Sequence, residues 1–576
     1  MKAYDLLLLA VSLLLATAAS AQDTNEFQRI AKCIMDAYEV GDELEHAPDS
    51  GHFYGGAYLG ASSNGRAMPS GYLTYLKDKL LLTSQISIDL SEQNSEKDVG
   101  TDFANGSDRL TSTDILTRYE KLDFSTRLDY EPTKGHILSF GVLESLDHRR
   151  VDENTIKNGH EADGSSQESH YEEQRRSNHD LKLGGLLQYI CDFEELGRLT
   201  ARLNLKYNYK PTTVTSDTWA AHSEASLREQ EQTLYNFDPY AMVRLQSKTW
   251  NGFRFGLEEK YTIEDMHIND TETTFNYNTY SSLSSLSAAY SYRWLALDAT
   301  FSYEHFANDI DDHRSANTTQ PTPATQTYND WMLTARATAK AGARNKFTLR
   351  FDRNIQRPTY TQLYPFVHIG SSIGVMVVGN AELSPSKSTQ LKGSYTYSGR
   401  HWTHTHSLTY KHISDDISQV SSYDEASQRS VRTWLNDARY RYLRYAAEGE
   451  MRFRVFSMTM GLHTQYLDYE GERVSSDNAW SYSFKVRPQV QLPHDWTLAT
   501  VLLYTGRETH RHYYYKSNVY WSLRAVKQFD NWAAYAFVQD IIQPDQKQVL
   551  TNTDQAMTTL TRPNTRCLIV GCSYTF

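Results

Sequence analysis

Residues 198–210 read RLTARLNLKYNYK. Leu199, Ala201, Leu203, Leu205, Tyr207 and Tyr209 alternate without a slip with Arg198, Thr200, Arg202, Asn204, Lys206, Asn208 and Lys210. Successive side chains of an extended chain point to opposite faces, so this stretch is a strand with one oily side and one wet side. Residues 480–492, WSYSFKVRPQVQL, repeat the pattern: Trp480, Tyr482, Phe484, Val486, Val490 and Leu492 oppose Ser481, Ser483, Lys485, Arg487, Gln489 and Gln491. Pro488 is the exception, since it has no N–H to donate to a ladder. In a sandwich the oily faces pack on each other; in a membrane barrel they face lipid and the charged faces line water.

Connection lengths separate the two. Very short turns are expected at residues 77–79, 132–135, 194–197, 247–252, 293–294, 342–345, 398–400, 452–455, 493–495 and 529–531. Between them lie longer, more polar connections, among them 91–114, 149–177, 307–329, 355–386 and 543–563. Short and long connections alternate along the chain, as in an up-and-down barrel with short periplasmic turns and longer external loops. Ten short turns and eleven outer connections, the first at 63–68, give an all-β, antiparallel transmembrane β-barrel of about 22 strands over residues 52–576. Trp250, Trp294, Trp402, Trp496 and Trp532 lie in or beside the short turns, as an interfacial girdle requires.

The ends of the chain agree with this. MKAYDLLLLAVSLLLATAASAQ carries Lys2, an apolar run from Leu6 to Leu15, and small residues before Gln22, the pattern of a cleaved signal peptide over residues 1–21. At the other end, CLIVGCSYTF places Leu568, Val570, Cys572, Tyr574 and Phe576 on one face. A terminus is normally polar and frayed unless it is tied down, so Phe576 is expected to close the last strand against the first, with its ring in the membrane interface. The C-terminal aromatic pair Tyr574 and Phe576 resembles the signal read by the outer-membrane assembly machinery.

Composition narrows the function classes. With 39% hydrophobic and 22% charged residues the chain reads as polar overall, as barrel strands do when lipid-facing and lumen-facing residues average out. A net charge of -12 argues against a nucleic-acid partner. Cys33, Cys191, Cys567 and Cys572 are too few and scattered for a disulfide framework or zinc site; Cys191 and Cys572 fall on apolar faces. His148, His160, His170 and His179 flank or occupy the acidic connection 149–177, but their spacing is irregular, so no metal is assigned. That connection is long enough to fold into the lumen, and is expected to do so. His404 and His406 share a face with Trp402, Leu408 and Tyr410 and read as interfacial aromatics. No nucleophile elbow or phosphate-binding glycine loop is present, so neither an enzyme nor a cofactor is expected.

LRFDRNIQRPTYTQLYPF (349–366), followed by GNAELSPSKSTQLKGSYTY (379–397), resembles the barrel of TonB-dependent receptors and related outer-membrane barrels. The matching residues are Arg357, Pro358, Tyr360, Leu363, Pro365 and Phe366, then Gly379, Asn380, Leu383 and Pro385; Ala381 and Ser386 depart from the pattern. The resemblance implies a Gram-negative outer-membrane protein, receptor-like, that binds or passes a solute as part of a TonB-linked uptake complex. Pro358 and Pro365 would stiffen an external loop, and Tyr360 and Phe366 would pack it down. The family's barrels hold a globular plug, and none fits within residues 22–51. In TNEFQRIAKCIMDAYEV, Phe27, Ile30, Ala31, Ile34, Met35 and Tyr38 recur at helical spacing after Thr24, so a short amphipathic helix is expected there. Outer-membrane lipid, the assembly machinery and a separate plug or periplasmic protein are the partners expected. The alternative is a structural or surface-interaction barrel whose external loops bind a partner and which transports nothing.

Overall fold

Alternating sequence becomes a closed wall because each strand satisfies its backbone on both edges. The computed structural model describes residues 51–576 apart from 104–105, 162, 168, 194, 221–225, 271–272, 315–323, 365–374, 425–428, 472–478, 510–512, 543–544, 552–554 and 564. The expected signal peptide and nearly all of the expected helical segment 22–51 lie outside the described residues.

The strands, in chain order, are β1 (His52–Ser62), β2 (Ser70–Lys77), β3 (Leu80–Phe103), β4 (Asp108–Thr133), β5 (His136–His160), β6 (His170–Phe193), β7 (Gly197–Ala220), β8 (Ser226–Phe237), β9 (Tyr240–Ser247) and β10 (Phe253–Asp270). They continue with β11 (Thr273–Tyr292), β12 (Leu295–Arg314), β13 (Ala324–Ala341), β14 (Asn345–Gln356), β15 (Val375–Val377), β16 (Ser386–Ser398), β17 (Trp402–Asp424), β18 (Arg429–Arg452) and β19 (Phe456–Gly471). The last are β20 (Ala479–Leu492), β21 (Trp496–Thr505), β22 (Glu508–Thr509), β23 (Tyr513–Tyr515), β24 (Asn518–Gln528), β25 (Trp532–Gln539), β26 (Gln546–Thr551), β27 (Gln555–Pro563) and β28 (Cys567–Thr575). β8 and β9 are two halves of one stave, as are β21 and β22, β23 and β24, β25 and β26, and β27 and β28, while β15 is no stave of its own. The result is a closed antiparallel barrel of 22 staves. All ten short turns fall where expected, and β28 closes on β1, with Gly56 opposite Thr575 and Ser62 opposite Ile569.

The two faces differ as the sequence requires. Phe140 and Leu187 point outward, 55% and 54% exposed, whereas their neighbours Ser139 and Gln188 point into the bore at 1% and 3%. Arg127 pairs with Asp129, Arg244 with Glu258 and Arg336 with Asp298 on the inner face. Four of the girdle tryptophans, Trp250, Trp294, Trp496 and Trp532, stand exposed at the short-turn rim. Cys191 and Cys572 take the outward face, and Cys567 joins Phe537 and Ile569 on the inner one.

The wall is uneven in height. A lipid band about 25 Å tall needs roughly ten residues of tilted strand, yet β3 to β7 run 24 to 26 residues. Their upper halves stand clear of the membrane as a continuous sheet. The expectation that 149–177 folds into the lumen is therefore corrected: β5 and β6 stay paired from His136 opposite Cys191 to Lys157 opposite His170. The reason is cross-strand chemistry. Lys157 binds Glu172 at 3.1 Å, and Asp152 accepts from Arg150 and Arg175, so the acidic residues are neutralised within the hairpin. Connections 91–114 and 307–329 likewise prolong their strands.

Candidate functional site

The connection that does turn inward is the one carrying the family motif. It leaves the wall at the end of β14 with Arg357, whose guanidinium reaches Glu304 at 2.6 Å and Asp330 at 3.3 Å and lies 4.2 Å over the ring of Phe306. Charge-assisted bonds of this kind are roughly twice as strong as neutral ones. Two further nitrogens of Arg357, Nε and Nη1, are buried without a protein partner.

Beyond the buried Pro358, a single helical turn, α1 (Tyr360–Leu363), is tied at its start by Thr359 N–H donating to Gln362 Oε1 at 2.9 Å. Leu363 and Tyr364 then pack on inner-face residues of four staves: Leu234 of β8, Met266 and Ile268 of β10, Phe275 and Tyr277 of β11, and Ile310 of β12. Tyr364 meets Phe275 edge to face at 5.2 Å. Burial, helped by the carboxylates of Glu264 and Asp180, raises the Tyr360 phenol above its ordinary value. It stays neutral.

The returning arm locks onto the first. Gly379 N–H donates to the Tyr364 carbonyl at 2.7 Å and Asn380 N–H to the Gln362 carbonyl at 2.6 Å. A Cβ on Gly379 would sit 2.3 Å from the Tyr364 carbonyl oxygen, which is why glycine stands there. The Asn380 side chain donates to the Trp434 carbonyl, and Leu383 completes the cluster at 1% exposure, followed by buried Pro385. The structure thus brings Arg357, Pro358, Tyr360, Leu363, Gly379, Asn380, Leu383 and Pro385 into one brace on the inner wall. Pro365 and Phe366 lie outside the described residues.

Sequence reasoning missed the brace's receivers. Asn436 of β18 accepts from Ser384 N–H at 2.7 Å and donates to the Ser384 and Asp415 carbonyls; Gln326 of β13 donates to the Ala381 carbonyl at 3.0 Å. Glu304 and Asp330 stand on inward positions of β12 and β13, where a carboxylate beside Phe306 or Tyr328 is the one available signal.

Beside the brace, β5 to β8 present inner-face acceptor oxygens with no protein donor: Ser145 Oγ, Asp147 Oδ1, Asn178 Oδ1, Asp180 Oδ1, Asn204 Oδ1, Asn208 Oδ1 and Asn236 Oδ1. Near its β1 edge this wall opens into a polar recess of about 540 Å3 lined by Arg66, Asp89, Tyr119, Asp147, Asp180 and Lys210. Arg66 is fixed there by two bonds to Asp89, at 2.9 and 2.6 Å. Among the described residues no three His, Cys, Asp or Glu side chains converge on a metal-sized site. His148 and His179 stack 4.2 Å apart on the outward face, and His160 pairs with Asp108. Tyr574 packs on Trp532 at 4.6 Å, and Phe576 exchanges backbone hydrogen bonds with Gly55.

The architecture has solved counterparts. The copper transporter OprC shares 12% identity at a TM-score of 0.66, covering 92% of this chain and 81% of its own. The Serratia marcescens hemophore receptor HasR, solved with its hemophore HasA and heme, shares 10% at 0.61, covering 93% and 82%. The ferric yersiniabactin uptake receptor FyuA of Yersinia pestis shares 13% at 0.57, covering 92% and 80%. At these identities the likeness is one of fold. No curated protein matches the sequence. The profile of the outer membrane protein β-barrel family matches residues 257–574, more than half of the sequence and including the inward brace, and the chain belongs to that family, in the outer membrane of a Gram-negative bacterium.

Proposed function

We propose that this barrel is the membrane-spanning part of a receptor-type uptake system that takes a polar solute at its outer mouth and passes it along the bore, with a TonB-linked periplasmic or plug partner. One observation carries the reading: the motif connection is folded onto the inner wall, beside the unsatisfied oxygens of β5 to β8. Buried acceptors without donors are costly unless water or a ligand supplies the hydrogens, so that wall suits a donor-rich solute. The named neighbours, a copper transporter and receptors for a hemophore and for ferric yersiniabactin, support uptake as the class. No catalytic role is proposed. Tyr574 and Phe576 are proposed as the residues the assembly machinery engages.

The second reading is a surface-interaction barrel, favoured by the tall sheet of β3 to β7. Single-channel recording in planar bilayers separates the two. Removing residues 359–384 should raise conductance, and added solute should block it, if the bore is a route. A barrel equally closed with and without the brace would refute transport and leave partner binding by the sheet.

A further inference from the structure

The short-turn rim is not uniformly charged. Four consecutive turns, joining β11 to β12, β13 to β14, β16 to β17 and β18 to β19, carry Arg293, Arg344, Arg400 and Arg454, all exposed. None has an acidic partner among the described residues, unlike Arg452, which is held by Glu450 at 2.6 Å. Five of the other six turns hold a carboxylate in or beside them: Asp78, Glu131, Glu195, Asp495 and Asp530. In a chain of net charge -12, this positive arc is a local departure.

Directly above the arc, the lipid face has a groove of about 500 Å3. Its floor is made of small residues on the two staves that flank β14, Ala337 and Ala339 of β13 and Gly393 of β16, with Leu349 of β14 standing between Ala337 and Gly393. A Cβ added at Gly393 meets nothing within 4 Å. Its walls, Phe347, Leu349 and Leu408, are 48%, 53% and 52% exposed on the outward face. Glycine inside a strand weakens it, and often marks the close approach of something else. The groove's remaining edge is polar: His406 Nδ1 lies 2.7 Å from the Tyr445 hydroxyl.

An apolar slot within the hydrocarbon band, with a polar edge and unpaired cations at the adjoining headgroup level, matches one occupant in both parts. We propose that this sector binds an anionic phospholipid of the inner leaflet, its phosphate between Arg344 and Arg400 and its two acyl chains on either side of Leu349, one along Ala337 and Ala339 and the other over Gly393. Adjacent turns are two staves, or about 10 Å, apart, within reach of two flexible arginines. Arg293 and Arg454 extend the positive edge.

The full chain, reconstituted in vesicles and released for native mass spectrometry, tests this with phosphatidylglycerol against phosphatidylcholine of identical chains. Wild type should retain phosphatidylglycerol preferentially. A juxtamembrane cation contributes about 1 kcal/mol, so R344Q/R400Q should weaken retention about 25-fold. Gly393→Leu, which fills the groove, should lower retention of both lipids, while R452Q should change nothing. Equal retention of the two lipids, or unchanged retention in R344Q/R400Q, overturns the proposal. So does a double variant that keeps its lipid but loses uptake, since the arc would then face an acidic periplasmic protein. Heat-modifiable migration on gels confirms that each variant is folded before it is scored.

Discussion

Arg357 holds the brace through one guanidinium that serves two carboxylates and an aromatic face. Removing one partner of a largely buried ion pair leaves the others desolvated and uncompensated, which costs about 3 kcal/mol. Arg357→Met should therefore release residues 357–385 to protease attack in detergent while the wall stays folded. E304Q/D330N on the same background should restore much of the protection, because no bare carboxylate then remains. Protection unchanged in R357M would show that the apolar cluster alone suffices. Gly379 makes a different demand. A methyl group there meets backbone oxygen at 2.3 Å rather than a yielding side chain, so Gly379→Ala should part the two arms at a cost of about 1 to 3 kcal/mol, the range for overpacking a fitted site. Hydrogen exchange at Gly379 and Asn380 N–H, fast in the variant and slow in wild type, reads that separation directly.

At the scale of elements, the sequence distinguished strand from turn more readily than it distinguished the fates of its long connections. Strand positions repeat every second residue, and Lys77 to Lys79 or Pro132 to Gly135 interrupt that repeat plainly. Connection 149–177 and connection 355–386 are both long and polar, and nothing in composition says which one turns inward. What separates them is pairing: Lys157 needs Glu172, and Asp152 needs Arg175, relations that exist only once β5 and β6 are in register. The motif marked the brace itself, yet Asn436 and Gln326, which hold its carbonyls and amides, sit in ordinary strands with no local signature. Since the β5–β6 extension stands outside the bore, excising residues 151–175 and joining the strands by a two-residue turn should leave single-channel conductance unchanged. Excising 359–384 should raise it. A conductance change in the first deletion would show that the hairpin bends over the mouth in the membrane.

Across the whole molecule, strand number and closure were readable because both follow from counting turns, whereas the path of the seam was not. β1 and β2 are only 11 and 8 residues long, so they fill the wall near the short-turn rim and stop. Above them the last stave bypasses the first hairpin: β27 pairs directly with β3, with Thr559 opposite Val99 and Thr561 opposite Lys97. The fold needs this, because β3 continues for 24 residues and its upper edge would otherwise expose unpaired N–H and C=O groups, an invitation to aggregation. Geometry makes the seam testable. Facing residues on adjacent antiparallel strands lie about 5 Å apart, a span that a disulfide bridges, whereas two intervening strands would separate them by about 14 Å, beyond its reach. Val99→Cys with Thr559→Cys should therefore oxidise to a crosslink in the folded barrel, visible as a shift in gel mobility that reductant reverses. Pairing Thr559→Cys with a cysteine at Leu59, on β1 below the bypass, should give none. A crosslink in the second pair and not in the first would mean that β1 and β2 reach the outer rim, and that the seam runs between neighbours along its entire height.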